Sequence, residues 1–97
     1  MNDMIDTMRS WVLEHEAGGA GHLGVSFRAS PQENAKQAGW VEFDSPDAMG
    51  QLILWETGEC EIDVGSLDGE RSIIRSATVK TRQELVVLLN EVADFFG

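Results

Sequence analysis

The sequence predicts an α+β fold: an antiparallel five-strand meander with N- and C-terminal helices packed on one face. Three observations lead to this prediction. Apolar residues recur at helical spacing at both ends of the chain, five segments between them have the apolar patterns of strands, and short turn sequences join several of these segments. Consecutive strands joined by short turns favour antiparallel pairing, which leaves one sheet face open to water. With 97 residues we expect one domain spanning residues 1–97.

Both predicted helices have start signals and an apolar face. The N-terminal helix starts at a cap residue, Asn2 or Asp3, and residues 18–19, both glycine, end it. The C-terminal helix starts with a capping box, in which the Thr81 hydroxyl and the Glu84 carboxylate each satisfy a free backbone N–H. The residues at spacings of three and four are Met4, Ile5, Met8, Trp11, Val12 and His15 in the first helix, and Leu85, Leu88, Leu89, Val92 and Phe96 in the second.

Five strands are predicted between the helices, at residues 23–28, 40–44, 51–56, 59–64 and 71–80. A glycine-rich loop precedes the first strand, and a long polar connection at residues 30–38 leads to the second. Ser45-Pro46-Asp47 predicts a turn, and Thr57-Gly58 predicts a hairpin between the third and fourth strands. A further turn at residues 67–70 leads into the fifth strand.

Strand alternation sorts these side chains into a core face, covered by the helices, and an open face. In the fourth strand, Cys60 and Ile62 belong to the core face, while Glu59 and Glu61 point the other way. In the third strand, Leu52 and Leu54 match the core face in the same manner. The residues predicted on the open face are Trp40, Glu42, Asp44, Ile53, Trp55, Glu59, Glu61 and Asp63.

The charge distribution indicates a basic partner. The net charge is −10, and between Lys36 and Arg71 the chain has no positive residue. A single-sign field of this kind attracts oppositely charged partners and speeds their association. The net charge argues against nucleic acid and anionic membranes as ligands, because binding to either relies on clustered Lys and Arg. The carboxylates in this stretch are Glu42, Asp44, Asp47, Glu56, Glu59, Glu61, Asp63, Asp68 and Glu70.

Ile53 and Trp55 give the open face the composition of a protein interface. They would lie beside the carboxylates, as an apolar centre with a charged rim. Alternatively, Trp55 packs over its cross-strand neighbours or under the connection at residues 30–38. A register slip of one residue would exchange the two faces. Trp11 and Trp40 are each also compatible with a core position.

The residues predict no catalytic, cofactor or metal site. His15 and His22 lack cysteine or carboxylate ligands at metal-binding spacing. Cys60 falls on the core face between Glu59 and Glu61, and a reactive thiolate needs a basic neighbour instead. The glycine-rich loop lacks the Lys-Ser/Thr of a phosphate loop and follows a helix rather than a strand.

Cysteine content and the N-terminal segment predict a cytoplasmic location. One cysteine cannot form an internal disulfide. The N-terminal segment lacks the basic and apolar regions of a signal peptide. No stretch approaches the ~20 apolar residues of a membrane span.

The central hairpin carries a resemblance to a known family. Residues 52–61, LILWETGECE, preceded by residues 41–44, VEFD, resemble the TriTu family of bacterial immunity proteins. The hairpin sequence W-E-S/T-G-E-C is the distinctive part, and the leading helix, the strand order and the acidic final helix are also similar. Carried onto this chain, the resemblance implies that Trp55, Glu56, Glu59 and Glu61 are partner contacts.

The resemblance implies a cytosolic antidote to a toxin. Such proteins bind the C-terminal ADP-ribosyltransferase domains of Rhs toxins delivered by type VI secretion, and they block access of NAD or of the target. The cellular targets of these toxins include elongation factor Tu, or structured RNA for related toxins. The predicted function is therefore an immunity protein in a heterodimer with a basic toxin domain. The alternatives are a chaperone or adaptor module that binds a basic secreted protein without inhibiting it, and a small enzyme.

Overall fold

The computed structural model describes residues 3–17, 24–30 and 37–96, and it confirms the predicted fold class. The elements are α1 (Asp3–Ala17), β1 (Gly24–Ala29), β2 (Ala38–Asp44), β3 (Ala48–Trp55), β4 (Glu59–Ser66), β5 (Ser72–Thr78) and α2 (Arg82–Phe95). The strands form one sheet in the order β1-β2-β3-β4-β5, with every neighbouring pair antiparallel. Asn2, residues 18–19, His22 and most of the connection at residues 30–38 lie outside the described residues.

The two helices cover one face of the sheet and enclose the core. α1 packs over β1 and β2 and against α2. Phe43 of β2 lies between the helices, with its ring 6.1 Å from that of Trp11 and 5.4 Å from that of Phe96. Trp11 therefore occupies the core, and its indole Nε1–H donates to Asn90 Oδ1 at 3.0 Å across the helix pair. The predicted helix faces supply Ile5, Met8, Val12, Leu85, Leu88, Leu89 and Val92 to the same core.

The predicted capping box at the start of α2 is confirmed. The Glu84 backbone N–H donates to Thr81 Oγ1 at 3.0 Å, and the Thr81 backbone N–H donates to Glu84 Oε1 at 3.2 Å. The Lys80 N–H donates to the same carboxylate oxygen at 2.7 Å. These bonds satisfy backbone donors that the first helical turn leaves without partners.

β3 begins at Ala48, three residues before the predicted start at residue 51. Ser45 and Ala48 close a tight turn through backbone and hydroxyl hydrogen bonds, so pairing resumes at once after Asp47. The sequence did not reveal this earlier start, because Gly50 has no side chain and interrupts the alternation of polar and apolar residues. A Cβ at Gly50 would lie 2.4 Å from Val64 Cα, so close approach of β3 and β4 requires glycine here.

The other strand boundaries shift by smaller amounts. β1 is Gly24–Ala29, one residue past the predicted end at residue 28, and the predicted start at residue 23 lies outside the described residues. β5 is Ser72–Thr78 rather than residues 71–80. β2 and β4 extend beyond the predicted segments, to Ala38–Asp44 and Glu59–Ser66. The face assignments survive these shifts because the alternation within each strand is unchanged.

Candidate functional site

The open sheet face lies opposite the two helices, and the strand register fixes its layout. One cross-strand row runs from Arg28 through Trp40, Ile53 and Glu61 to Ser76. The next row runs from Ser26 through Glu42, Gln51 and Asp63 to Ile74. Directly opposite side chains in such rows are about 5 Å apart at Cβ. All eight residues that alternation assigned to the open face lie on that face. The residues next to them along each strand point to the opposite face and fill the core.

The largest apolar side chains of this face and a row of carboxylates lie on neighbouring strands. β2 and β3 supply Trp40, Ile53 and Trp55, which we call the apolar ledge, and all three are partly buried. β4 supplies the acidic row, Glu59, Glu61 and Asp63, and all three are exposed. A ledge bordered by carboxylates matches the interface composition expected from the sequence.

Two of the other predicted contact residues have different surroundings from the acidic row. Glu42 Oε1 lies 2.9 Å from Arg28 Nε, in an ion pair whose side chains are 46% and 68% exposed. An exposed pair of this kind contributes at most about 1 kcal/mol, so a partner can compete for either side chain. Asp44 is exposed at the end of β2, opposite Met49.

Glu56 is the one predicted contact that the structure places off the face. It lies in the hairpin turn between β3 and β4, exposed, and its backbone N–H donates to Gln37 O at 2.9 Å. Alternation did not predict Glu56 as a contact; only the family resemblance did. The turn position leaves it at the rim of the apolar ledge.

Sequence reasoning missed several members of the open face, among them two large apolar residues and one cation. Met49 and Ile74 are 57% and 78% exposed. They lie outside the ledge, opposite Asp44 and Asp63 respectively. Met49 was missed because the predicted third strand began too late. Ile74 was missed because Ile73 beside it is also apolar, so the pattern did not choose a face. Arg28 alternates with core-facing Phe27, and that signal was sufficient to place it on the open face.

A family model for the immunity protein TriTu matches residues 6–95. This chain belongs to the TriTu immunity protein family. The match covers most of α1, all five strands and the whole of α2. A search of curated proteins found no match to the chain. Family membership supports a role in toxin immunity, and hence a cognate toxin as the binding partner.

The TriTu-like hairpin combines positions that shape the fold with positions that face outward. Gly58 has φ +95°, a conformation that favours glycine, and its N–H donates to Trp55 O at 2.9 Å to close the turn. Cys60 is buried beneath the helices. Trp55 and Glu59 point to the open face instead. The segment therefore both builds the hairpin and presents part of the candidate interface.

The cysteine and the described histidine, which are the usual nucleophile and metal ligand types, pack against other parts of the protein. Burial raises the pKa of the Cys60 thiol to about 11, which disfavours a nucleophilic thiolate. The His15 ring stacks on Trp11 at 3.8 Å, and its Nδ1 lies 3.3 Å from Trp11 O. Within residues 3–17, 24–30 and 37–96, no group of three or more His, Cys, Asp or Glu side chains is arranged to hold a metal ion. Neither described helix has the length and apolar character needed to cross a bilayer.

Proposed function

We propose that this TriTu family member binds a cognate ADP-ribosyltransferase toxin domain of an Rhs effector of the type VI secretion system and blocks its active site. The complex would be a heterodimer in the cytoplasm of the producing cell, and the immunity protein itself would have no catalytic role. Toxin immunity follows from the family. The toxin class and the delivery system are inferred from the resemblance of the central hairpin.

The observation that carries the proposal is the apolar ledge bordered by the acidic row. An ADP-ribosyltransferase must bind NAD, whose two phosphates favour a cationic cleft. The acidic row would steer this cleft to the open face and speed association. The ledge would supply most of the binding free energy when Trp40 and Trp55 become fully buried. The proposed contacts are Trp40, Glu42, Asp44, Ile53, Trp55, Glu56, Glu59, Glu61 and Asp63.

Affinity capture followed by an enzyme assay tests this proposal. Tagged protein is used to capture its partner from the producing bacterium, and the bound chain is identified by mass spectrometry. We expect a basic toxin domain whose NAD consumption stops when the immunity protein is added back. Capture of a basic secreted protein whose activity does not change when the immunity protein is added would contradict inhibition and support a chaperone or adaptor role.

A further inference from the structure

We propose that a pocket beside Trp55 receives an arginine side chain of the toxin domain. This inference rests on the proposed function and specifies the chemistry of one contact. The pocket has a volume of about 300 Å³ and lies where the acidic row meets β5. Ligand sites for whole small molecules begin at about this volume, so the pocket suits one side chain. Its open-face lining consists of Trp55, Glu59, Glu61, Ser76 and Thr78.

The sheet register explains why a depression forms here. Glu59 lies opposite Thr78, and Glu61 lies opposite Ser76, so each long acid on β4 faces a short hydroxyl side chain on β5. The difference in side-chain length leaves space above β5. Trp55 closes one end of this space, at the last position of β3.

The pocket's polar groups match a guanidinium group in type and spacing. The carboxylates of Glu59 and Glu61 can only accept hydrogen bonds when ionised, and the hydroxyls of Ser76 and Thr78 also accept. Residues two apart on one strand are separated by about 7 Å, so the two acids can flank a single side chain. An indole is the strongest partner for a cation stacked on an aromatic ring.

Arginine satisfies this combination better than lysine does. Its planar guanidinium carries five donors, stacks on aromatic rings and is weakly hydrated, whereas the lysine ammonium is a compact and strongly hydrated charge. The pocket borders the apolar ledge. An arginine seated in it would therefore be shielded from water on the side of Trp55, which strengthens its charge-assisted hydrogen bonds.

NMR titration with an arginine surrogate tests the pocket without the toxin. N-acetyl-arginine methylamide is added to ¹⁵N-labelled protein, and N-acetyl-lysine methylamide, of equal charge, is the matched ligand. The three indole N–H signals, assigned with Trp→Phe variants, report on Trp11, Trp40 and Trp55 separately. We expect a saturable shift of the Trp55 signal with the arginine compound, weaker binding of the lysine compound, and no shift at buried Trp11.

A matched pair of double variants separates the effect of the pocket carboxylates on arginine binding from the effect of the protein's net charge. E59Q/E61Q removes the two pocket carboxylates, and we expect about tenfold weaker binding of the arginine compound. E14Q/D94N removes two exposed charges from the helices on the opposite side of the sheet and should leave the affinity unchanged. Equal binding of both compounds, or equal weakening by both double variants, would overturn the arginine pocket.

The capture experiment keeps this inference distinct from the proposed function. If wild-type protein and E59Q/E61Q bind the captured toxin domain with the same affinity, the pocket assignment is wrong while toxin binding stands. If wild-type protein captures no toxin domain, the proposed function is overturned whatever the titration shows.

Discussion

Within residues 55–60, some side chains lie on the open face, whereas others form the turn or pack in the core. Trp55 and Glu59 face outward, Gly58 closes the turn, and Cys60 packs beneath the helices. A sequence segment shared with a family can therefore reflect folding at some positions and binding at others. Substitution separates the two roles, because core and turn positions affect the free energy of unfolding while outward positions affect the partner.

The buried thiol of Cys60 makes stability depend on alkaline pH. Because burial raises its pKa from 9.0 to about 11, the folded protein holds this proton more tightly than the unfolded chain does. The stabilisation is complete below pH 9.0 and is lost as the pH rises to about 11. We expect the free energy of unfolding to fall by roughly 2–3 kcal/mol over this interval.

Urea denaturation of wild-type protein and C60A at a series of pH values measures this effect. The two proteins share every other ionisable group, so the difference between the two curves isolates the thiol. The chain has no tyrosine to complicate the comparison. Parallel curves for the two proteins would argue against the raised pKa.

At the scale of elements, α1 and α2 are joined by the hydrogen bond from Trp11 Nε1–H to Asn90 Oδ1 at 3.0 Å. Trp11 is buried, so its indole N–H needs this acceptor, whereas Asn90 is exposed. We expect a coupling free energy of about 1 kcal/mol between W11F and N90A. Urea denaturation of the two single variants and the double variant provides the cycle, and strictly additive effects would contradict the bond.

The approach of β3 to β4 at Gly50 predicts a second effect on stability. A Cβ at this position would lie 2.3–2.4 Å from atoms of Val64 and the Asp63 carbonyl, much of it backbone, so the strands must separate. We expect G50A to lower the free energy of unfolding by about 2 kcal/mol or more. Gly65 is the matched control, because the nearest atoms to a Cβ there are 3.8 Å away. Thermal denaturation in which both variants behave alike would contradict the packing.

The sequence prediction of both the fold and the open face was based on the alternation of polar and apolar residues. The prediction was wrong or undecided where this alternation breaks down. β4 alternates without interruption from Glu59 to Val64, so all side chains in this stretch were assigned to the correct face. Gly50 carries no side chain, which hid the start of β3 and the exposure of Met49. Adjacent Ile73 and Ile74 gave β5 no clear direction. Long-range pairs such as Trp11 with Asn90 depend on helix packing, which no local pattern encodes.

At the scale of the whole molecule, the apolar ledge and the acidic row predict separate kinetic roles. The acidic row should act on encounter, and the apolar ledge on the lifetime of the complex. We expect E59K/E61K to lower the association rate constant and to reduce its salt dependence. W55A should mainly raise the dissociation rate constant.

Surface plasmon resonance with the captured toxin domain, at several salt concentrations, measures both constants. E14K/D94K is the matched control, since it adds the same charge on the helical side. Equal loss of association rate in E59K/E61K and E14K/D94K would show that net charge, rather than the acidic row, governs encounter.

The most direct test of the central claim is parallel capture from the producing bacterium with wild-type protein and W40A/W55A, followed by mass spectrometry and an NAD-consumption assay. Circular dichroism first establishes that the variant is folded. We predict that wild-type protein recovers an ADP-ribosyltransferase domain and inhibits it, while W40A/W55A recovers little of it. Recovery of the same domain in equal amounts by both proteins would contradict binding through the open face, and recovery of no such domain would contradict the proposed toxin class.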